Sequence, residues 1–349
     1  MTLWKWALLL LLLLLDCPSA LADPSRPGPF AITHWELDGL VDPARQNRLV
    51  QTRITIPNGP GPFPLILMSH GNGGNWSSHQ HLVDHIASHG YVVLAPNHPC
   101  SDTQRVFKNR RTYSTGPNPG RDPSAVLGRP ADIRFLIDQA SGWNVDPQHR
   151  LAGKLNLDRI GAVGHSYGSY TVQAVCGARP FLDRLDPPVP PGKGPAPSQR
   201  DPRIDVGVVY SPSGPGSDWF NETSYREMAC PMLCFTGEKD VQASGGLKSA
   251  RDRYRAYQLM PKGDKYHLWL AHAGHNGWDD LREASAWLRR QWSRATPEAD
   301  DVVHISAAMT VAFLNAYLRD DATARSLLCQ RYANSLTGRV VDRVIWESK

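Results

Sequence analysis

The chain has 349 residues, a length that suits one large α/β domain or two smaller ones. Hydrophobic residues make up 41% and charged residues 20%, so the composition allows a sizeable core and argues against a disordered chain. The net charge of +5 is only mildly basic and the positive residues are scattered, so the sequence does not predict a nucleic-acid-binding protein.

The N-terminal segment, residues 1–22, has the pattern of a signal peptide. Lys5 supplies a positive charge, Ala7–Leu15 is an apolar run, and Ala20-Leu21-Ala22 offers a small-x-small cleavage site. The run is short for a bilayer span, so an uncleaved anchor is the less favoured alternative. We therefore expect export to the periplasm or the extracellular space, with residues 23–349 forming a single catalytic domain.

Removal of that segment would leave five of the six cysteines. One or two disulfides suit an oxidising compartment, and one thiol would stay unpaired. Cys230 and Cys234 lie on or beside one predicted strand, where their Cα atoms would be roughly 13 Å apart, too far to bridge. No zinc-binding spacing of cysteine and histidine is present, so we expect no metal site.

The first half of the chain alternates predicted strands and helices. Strands over 32–40 and 48–56 form an antiparallel pair, and a compact apolar strand follows over 63–69. An amphipathic helix over 77–89 precedes a strand over 91–95. The side chains that this helix turns inward are Leu82, Val83, Ile86 and Ala87.

The same helix carries three histidines at successive i+4 spacings, His81, His85 and His89. This stripe could suggest a metal site, but no carboxylate has the spacing to complete it. We therefore interpret these histidines as residues at the edge of a packed helix.

Residues 101–124 form a predicted loop insertion that is basic and irregular. The segment Gly116-Pro117-Asn118-Pro119-Gly120 disfavours a regular element. A solvated loop is the simpler interpretation, and the alternative is a rim that attracts anionic substrates or a membrane surface. The basic residues are Arg105, Lys108, Arg110, Arg111 and Arg121.

A predicted helix over 125–140 and a polar loop over 143–157 lead to the stretch that organises the chain. A short strand over 160–163 is followed by Gly-x-Ser-x-Gly at 164–168 and by a helix over 169–178. On such a strand–turn–helix, small glycines allow a strained turn that exposes the serine above the sheet. The motif therefore predicts Ser166 as a nucleophile.

Residues 183–203 are dense in proline and glycine and form the second predicted loop insertion, over or beside the site. Strands resume afterwards, so we do not interpret this segment as an interdomain linker. The remaining predicted elements are three strands and two helices, over 204–210, 232–236, 267–271, 278–292 and 304–318. The last helix could pack on the sheet or mediate dimerisation, and its periodicity leaves both open.

A serine hydroxyl is a weak nucleophile that needs a histidine base, and that histidine needs a carboxylate to orient it. Ser166, Asp240 and His275 occur in the chain order that this architecture requires, after successive predicted strands. The alternative acids are Glu238, Asp218 and Asp264, of which Asp218 is the best placed, and His272 is the alternative base.

The Gly-rich loop over 70–75 follows the strand over 63–69. Acyl transfer builds negative charge on the carbonyl oxygen, which two backbone N–H groups must stabilise. The residue after the nucleophile, Tyr167, supplies one donor, and by position we assign the other to Asn72. A plain Gly-rich turn is the alternative interpretation.

Six stretches in a fixed order carry a family resemblance. They are Met68–Gly74, His85–Val93, Arg129–Leu136, Gly161–Gly168, Thr236–Asp240 and Ala273–His275. In these stretches, which cover most of residues 32–290, the chain resembles the α/β-hydrolase superfamily. Within it, the resemblance is closer to the dienelactone-hydrolase-like and platelet-activating-factor acetylhydrolase-like branch than to the polyester-degrading cutinases.

The resemblance implies an α/β-hydrolase fold, a mostly parallel central sheet with helices on both faces, and a carboxylic-ester hydrolase. It implies Ser166 as nucleophile, His275 as base and Asp240 as the orienting acid. Tyr167 and Asn72 would supply the oxyanion-binding amides.

The chain departs from the family pattern at Ser169, where the family often has a second glycine after the turn. The two loop insertions, 101–124 and 183–203, also have no counterpart that can be aligned. Because those loops would shape the pocket, the acyl and alcohol groups of the ester stay open.

We therefore expect a secreted serine esterase for small-molecule or lipid esters, with short acyl chains favoured and no metal or organic cofactor. A peptidase or amidase on the same fold is one alternative, although the sequence shows no clear cap domain. A catalytically inactive hydrolase fold used for binding is the other, and the complete set of candidate residues argues against it.

Overall fold

The structure is a computed structural model that describes residues 22–108, 120–241, 249–278 and 298–349. The strands in these ranges are β1 (Ile32–Leu37), β2 (Val41–Asp42), β3 (Arg48–Leu49), β4 (Thr52–Pro57), β5 (Phe63–Ser69), β6 (Val92–Pro96), β7 (Leu155–His165), β8 (Val206–Tyr210), β9 (Met232–Lys239), β10 (Lys265–Gly274) and β11 (Val344–Ser348). The helices are α1 (Gln80–Ser88), α2 (Thr103–Lys108), α3 (Pro123–Val126), α4 (Gly128–Val145), α5 (Tyr167–Val175), α6 (Ala250–Leu259), α7 (Ala299–Leu318), α8 (Ala322–Ser326) and α9 (Gln330–Ser335), with a 3-10 turn over Pro43–Arg45.

Nine of these strands form one sheet in the order β1-β4-β6-β5-β7-β8-β9-β10-β11. The neighbours from β6 to β10 pair in parallel. The pairs β1–β4, β4–β6 and β10–β11 are antiparallel, and β2 and β3 form a separate small hairpin. The predicted α/β class with a mostly parallel sheet is therefore confirmed, and β7, which leads to Ser166, is the central strand.

Both faces of the sheet are covered, as the burial of β5 shows. All seven residues of this strand are buried. Leu65 and Leu67 belong to the hydrophobic core on one face, and Ile66 and Met68 to the core on the other. Alternate side chains of a strand point to opposite faces, so a continuous apolar run predicts a strand buried on both sides.

Helices supply the covering on each face. The core on one face includes residues of α4, α5 and α6, and the core on the other includes residues of α1 and α7. Helix α7 is the one helix in the described ranges that is long and apolar enough to cross a membrane, with a mean hydropathy of 1.3. Since 78% of that apolar stretch is buried against the fold, α7 packs on the sheet as a core helix.

Several predicted bounds are wrong. Strand β7 begins at Leu155, whereas the sequence analysis placed a polar loop there, and α4 continues to Val145. The first residues of β7 pair with Phe63 and Pro64, but Asp158 at this outer end is exposed. Polar residues at an exposed strand end therefore concealed the strand. The sequence analysis also missed α6, α8, α9 and β11.

The two predicted insertions differ in how far the structure describes them. Residues 183–203 contain no helix and no strand, as their proline content predicts. Of the basic loop, residues 103–108 form α2, but 109–119 lie outside the described residues, and so do Arg110 and Arg111. The predicted helix over 278–292 also lies outside them beyond Trp278.

His85 on α1 and His89 directly after this helix hold the chain that precedes β1. His85 Nε2 donates to the carbonyl of Pro24, and His89 Nε2 to that of Arg26, both at 2.9 Å. Burial lowers the pKa of both imidazoles, that of His89 to about 4. Each ring is thus neutral and acts as a hydrogen-bond donor to the backbone. Within the described ranges, no group of three or more His, Cys, Asp or Glu side chains could hold a metal ion.

Two thiols approach each other at the end of α5. Cys176 and Cys230 form a side-chain hydrogen bond, and the Cys230 sulfur also lies 3.7 Å from the Met232 sulfur. The hydrogen bond from Cys176 lowers the pKa of the Cys230 thiol, which is the more exposed of the two. Cys230 is therefore the thiol of this pair that oxidised glutathione would meet first.

We expect oxidised glutathione to join Cys176 to Cys230, releasing two molecules of reduced glutathione. Thiol titration of a denatured chain that begins at residue 23 would then fall from five groups to three, because two of its five cysteines are consumed. Cys230→Ser should abolish this loss, whereas Cys100→Ser should not. A disulfide in a different pair, identified by peptide mapping, would contradict the prediction.

Candidate active site

The candidate residues follow four parallel strands, and this topology explains why they meet. The carboxyl ends of β5, β7, β9 and β10 lie along the same edge of the sheet. The Gly-rich loop follows β5, Ser166 follows β7, Asp240 follows β9 and His275 follows β10. Residues that are far apart in the sequence are thereby delivered to one place.

Ser166 occupies a sharp turn between β7 and α5. Its φ is +56°, a left-handed value that is strained for serine. A Cβ atom at Gly168 would lie 1.8 Å from the carbonyl oxygen of Ser69, and one at Gly164 would lie 2.5 Å from that of Gly168. Both glycines of the motif are therefore required by close backbone approach.

The structure brings Ser166, His275 and Asp240 into one hydrogen-bonded chain. The Ser166 hydroxyl lies 3.0 Å from His275 Nε2, and His275 Nδ1 lies 2.7 Å from Asp240 Oδ1. The hydroxyl of Ser211 donates to the other carboxylate oxygen of Asp240 at 2.6 Å. Because a carboxylate only accepts, the imidazole proton lies on Nδ1 and Nε2 is left to accept from serine.

The alternative acid and base lie in other contacts. Asp218 pairs with Arg121 at 3.4 Å and with Arg184 at 3.5 Å. His272 is half exposed, and its Nδ1 lies 3.8 Å from a carboxylate oxygen of Glu238. The structure therefore brings neither residue into the chain that contains Ser166.

A buried arginine that the sequence analysis missed contacts this chain. Arg253 Nε lies 2.8 Å from Asp240 Oδ1 and donates to the Asp240 carbonyl at 3.1 Å. Its Nη1 donates to the Ser211 carbonyl at 2.9 Å, and its Nη2 lies 3.3 Å from His275 Nδ1. The sequence signal for α6 is the capping box at its start, in which Ser249 and Asp252 exchange hydrogen bonds, but that signal does not indicate which side chains of the helix face the site.

These contacts set the charge states of the pair. Burial would raise the pKa of Asp240, but the Arg253 cation and the hydrogen bonds from His275 and Ser211 outweigh it and lower the pKa below its ordinary value. Burial lowers the pKa of His275, Asp240 opposes this, and Arg253 lowers it further, so the net shift is downward. At neutral pH the structure therefore holds an ionised carboxylate beside a neutral imidazole.

Two further histidines hold the loop that carries His275. His165 Nε2 donates to the His275 carbonyl at 3.0 Å, and His79 Nδ1 donates to the Trp278 carbonyl at 2.9 Å. The rings of His79 and His275 each lie 4.9 Å from that of His165. Burial lowers the pKa of His165 well below its ordinary value, so this side chain is a neutral packed neighbour of the site.

The Gly-rich loop lies directly beside Ser166. A Cβ atom at Gly71 would be 3.6 Å from the Ser166 Cβ, so the backbone that leads to Asn72 passes close to the serine. His70 Nδ1 donates to the Gly71 carbonyl at 2.6 Å, and its Nε2 accepts from the backbone N–H of His98 at 3.0 Å. Both nitrogens of His70 thus fix the loop, which leaves no role for it as acid or base.

A cluster of buried charges lies behind this loop. Asp132, on α4, is fully buried and accepts from Arg45 Nη1 and Arg48 Nε at 2.7 Å each. His98 bridges the cluster to β5, because its Nδ1 lies 3.0 Å from Asp132 and its Nε2 lies 3.0 Å from the Ser69 hydroxyl. Burial opposes ionisation, but hydrogen bonds from His98 and Arg48 lower the pKa of Asp132 to about 2.

Tyr167, the second predicted amide donor, begins α5 directly after Ser166. Its ring stacks on that of Trp219 at 4.6 Å and 5°, and the Arg129 guanidinium lies 4.5 Å from the ring centroid. Trp219 Nε1 in turn donates to the Gly120 carbonyl at 2.6 Å. The ring of the residue after the nucleophile thus contacts both an aromatic ring and a buried cation.

Comparisons with known proteins bear on the first part of the chain. Residues 26–106 match the chlorophyllase family model, and this range includes β5 and the Gly-rich loop but precedes Ser166. Two curated relatives are "Chlorophyllase-1, chloroplastic" from Citrus sinensis, 30% identical, and from Citrus unshiu, 29% identical. Each match spans 122 residues, 35% of this chain and 31% of the relative, so the chain spans about a third of the length of these relatives.

The observed fold is the one expected from the similarity to chlorophyllases. Chlorophyllases belong to the α/β-hydrolase superfamily, and this chain has the mostly parallel sheet that a serine turn at the end of a central strand requires. The chain thus has an α/β-hydrolase fold and, over residues 26–106, is similar to the chlorophyllase family.

Proposed function

We propose that the protein is a carboxylic-ester hydrolase in which Ser166 is the nucleophile. The observation that carries the proposal is the hydrogen-bonded chain from Ser166 through His275 to the ionised Asp240. The similarity to chlorophyllases, which are carboxylic-ester hydrolases, supports it independently. A fold used only for binding would have no need of the strained serine at this turn.

The first half-reaction forms an acyl-enzyme. Ser166 Oγ attacks the ester carbonyl carbon while His275 Nε2 takes the hydroxyl proton. The carbonyl oxygen becomes an oxyanion, which the backbone N–H groups of Asn72 and Tyr167 stabilise. When the tetrahedral intermediate collapses, the C–O bond to the alcohol breaks and His275 returns the proton to the leaving alkoxide.

The second half-reaction releases the acid. His275 Nε2 takes a proton from water, and the hydroxide oxygen attacks the acyl carbon bonded to Ser166. Collapse of this intermediate breaks the bond to Oγ, and the serine recovers its proton from the imidazolium. Asp240 stays ionised throughout, holding the imidazole in the tautomer with the proton on Nδ1 and stabilising its cationic form.

The ester substrate is a further proposal. The relatives are named chlorophyllases, which makes chlorophyll one candidate substrate. The resemblance to dienelactone hydrolases and platelet-activating-factor acetylhydrolases instead favours esters of short acyl chains.

The test is hydrolysis of p-nitrophenyl esters from acetate to palmitate, and of chlorophyll, by the mature chain and by Ser166→Ala. We expect ester hydrolysis that is lost in the variant, and the profile over chain length identifies the acyl preference. If no ester is cleaved while a fluorophosphonate still labels Ser166, the activity belongs to amides or peptides. Absence of both activity and labelling would overturn the proposal in favour of a binding protein.

Export is part of the proposed function. We propose that residues 1–22 are removed as a signal peptide and that 23–349 form one exported catalytic domain. N-terminal sequencing of the chain recovered outside the cytoplasm should begin at Asp23. Recovery of the unprocessed chain in the cytoplasm would contradict this part of the proposal and leave the esterase activity untouched.

The pH profile should report the lowered pKa of His275. We expect the acidic limb of kcat/KM to have an apparent pKa below the ordinary imidazole value of 6.5, because burial and Arg253 favour the neutral base. In Arg253→Met the limb should move to higher pH, since the cation that lowers this pKa is lost. A shift to lower pH, measured with the same ester, would contradict the assignment.

A further inference from the structure

Arg129 on α4 is completely buried, and its guanidinium makes an unusual set of contacts. Its Nε donates to Thr171 Oγ1 at 2.9 Å and its Nη1 to Ser101 Oγ at 2.8 Å. Its Nη2 donates to the carbonyl of His70 and to Ser69 Oγ, the latter at 3.2 Å. Burying a cation is costly unless its donors are satisfied, so this placement calls for a reason beyond packing.

One side of the guanidinium holds the Gly-rich loop. The carbonyl of His70, an acceptor for Nη2, lies at the start of the loop. Ser101, an acceptor for Nη1 through its hydroxyl, accepts from the backbone N–H of Gly73 through its carbonyl at 2.8 Å. These two contacts lie on either side of Asn72, so they fix the chain both before and after its amide.

The other side of the guanidinium holds the start of α5. Thr171, which accepts from Nε, donates its hydroxyl proton to the carbonyl of Tyr167 at 3.1 Å. The guanidinium also lies 4.5 Å from the centroid of the Tyr167 ring. The same rigid, planar group therefore contacts the ring of Tyr167 directly and reaches the Tyr167 carbonyl through the hydroxyl of Thr171.

We propose that Arg129 is a positioning residue for ester hydrolysis, which holds the amides of Asn72 and Tyr167 at the separation that an oxyanion requires. This inference rests on the proposed function and names a residue that acts through the two donors without touching the substrate. Donors in an oxyanion-binding site act because they are already oriented, and a misplacement of about 1 Å can cost roughly 100-fold in rate. Lysine has no planar fork with which to make these contacts.

The test compares Arg129→Met and Arg129→Lys with the wild-type chain. We expect Arg129→Met to lower kcat and kcat/KM together by about 10- to 100-fold, with KM nearly unchanged, because the lost contacts act in the transition state. A boronic acid forms a tetrahedral adduct on Ser166 that has an oxygen in the oxyanion position. The inhibition constant of the boronic acid should rise by the same factor in Arg129→Met. For Arg129→Lys, kcat and the inhibition constant should lie between those of the wild type and of Arg129→Met.

Arg319→Met is the matched control. Arg319 donates to the carbonyls of His89 and Gly90 at 3.0 and 2.7 Å and lies 4.7 Å from the centroid of the Tyr91 ring, so it makes the same kinds of contact away from the site. We expect this variant to lower Tm but to leave kcat, KM and the boronic-acid inhibition constant as in the wild type.

The outcomes separate the two proposals. A wild-type chain that cleaves no ester contradicts the proposed function, whereas an active wild type with an unchanged Arg129→Met overturns the positioning role alone. If Arg129→Met does not fold, Thr171→Val and Ser101→Ala each remove one hydroxyl that accepts from Arg129. Each of these variants should lower kcat and boronic-acid affinity severalfold and in parallel. Variants whose kcat falls while boronic-acid affinity is kept would also overturn the positioning role.

Discussion

Ser166→Ala is expected to lower kcat for ester hydrolysis by about a million-fold, the largest effect of any single substitution in this chain. The methyl group cannot form the acyl-enzyme, and the remaining rate comes from oxyanion stabilisation and binding alone. The measurement is kcat on the best p-nitrophenyl ester, with fluorophosphonate labelling of the same preparation. Labelling should disappear together with the activity, while circular dichroism and Tm stay close to those of the wild type.

Ser306→Ala serves as the matched control for this substitution. Ser306 is a buried serine on α7 whose hydroxyl donates to the Val303 carbonyl at 3.2 Å, outside the candidate active site. This variant should keep full activity and full labelling. If Ser166→Ala retained more than about one-hundredth of the activity, a different nucleophile would have to be sought.

Asp240→Asn is expected to lower kcat by about 10,000-fold. The amide would donate to His275 Nδ1, so the proton would move to Nε2, where it blocks acceptance of the Ser166 proton. The substitution also removes the negative charge that pairs with the buried Arg253 at 2.8 Å, so Tm should fall as well. Steady-state kinetics and thermal unfolding of the same preparation measure the two effects.

Two control variants separate the loss of activity from the loss of stability. Asp201 is buried and pairs with Arg203 at 2.6 Å, so Asp201→Asn should lower Tm while kcat stays within about twofold. Asp218→Asn tests the alternative acid and should also leave kcat within about twofold of the wild type. A larger loss of kcat in Asp218→Asn than in Asp240→Asn would assign the acid to Asp218.

The elements with local signals could be predicted from the amino-acid sequence alone. The apolar run of β5 and the inward face of α1 agree with the structure, because each pattern has the period of one element and needs no partner to be recognised. The glycines at 164 and 168 also predict the turn at Ser166. Only glycine fits at these positions, because a Cβ atom would collide with the backbone of the turn itself and of the adjoining strand β5. The order of the three candidate residues could be read in the same way, from the strands that precede them.

Which buried charges face one another depends on the tertiary fold. Arg129, Asp132 and Arg253 lie on helices whose polar residues would ordinarily be exposed, and their partners come from strand ends and loops far away in the sequence. Such contacts depend on the register of the parallel sheet and on how each helix is rotated against it. No local period encodes either quantity, so the cations that bracket the candidate site could not be assigned from the sequence.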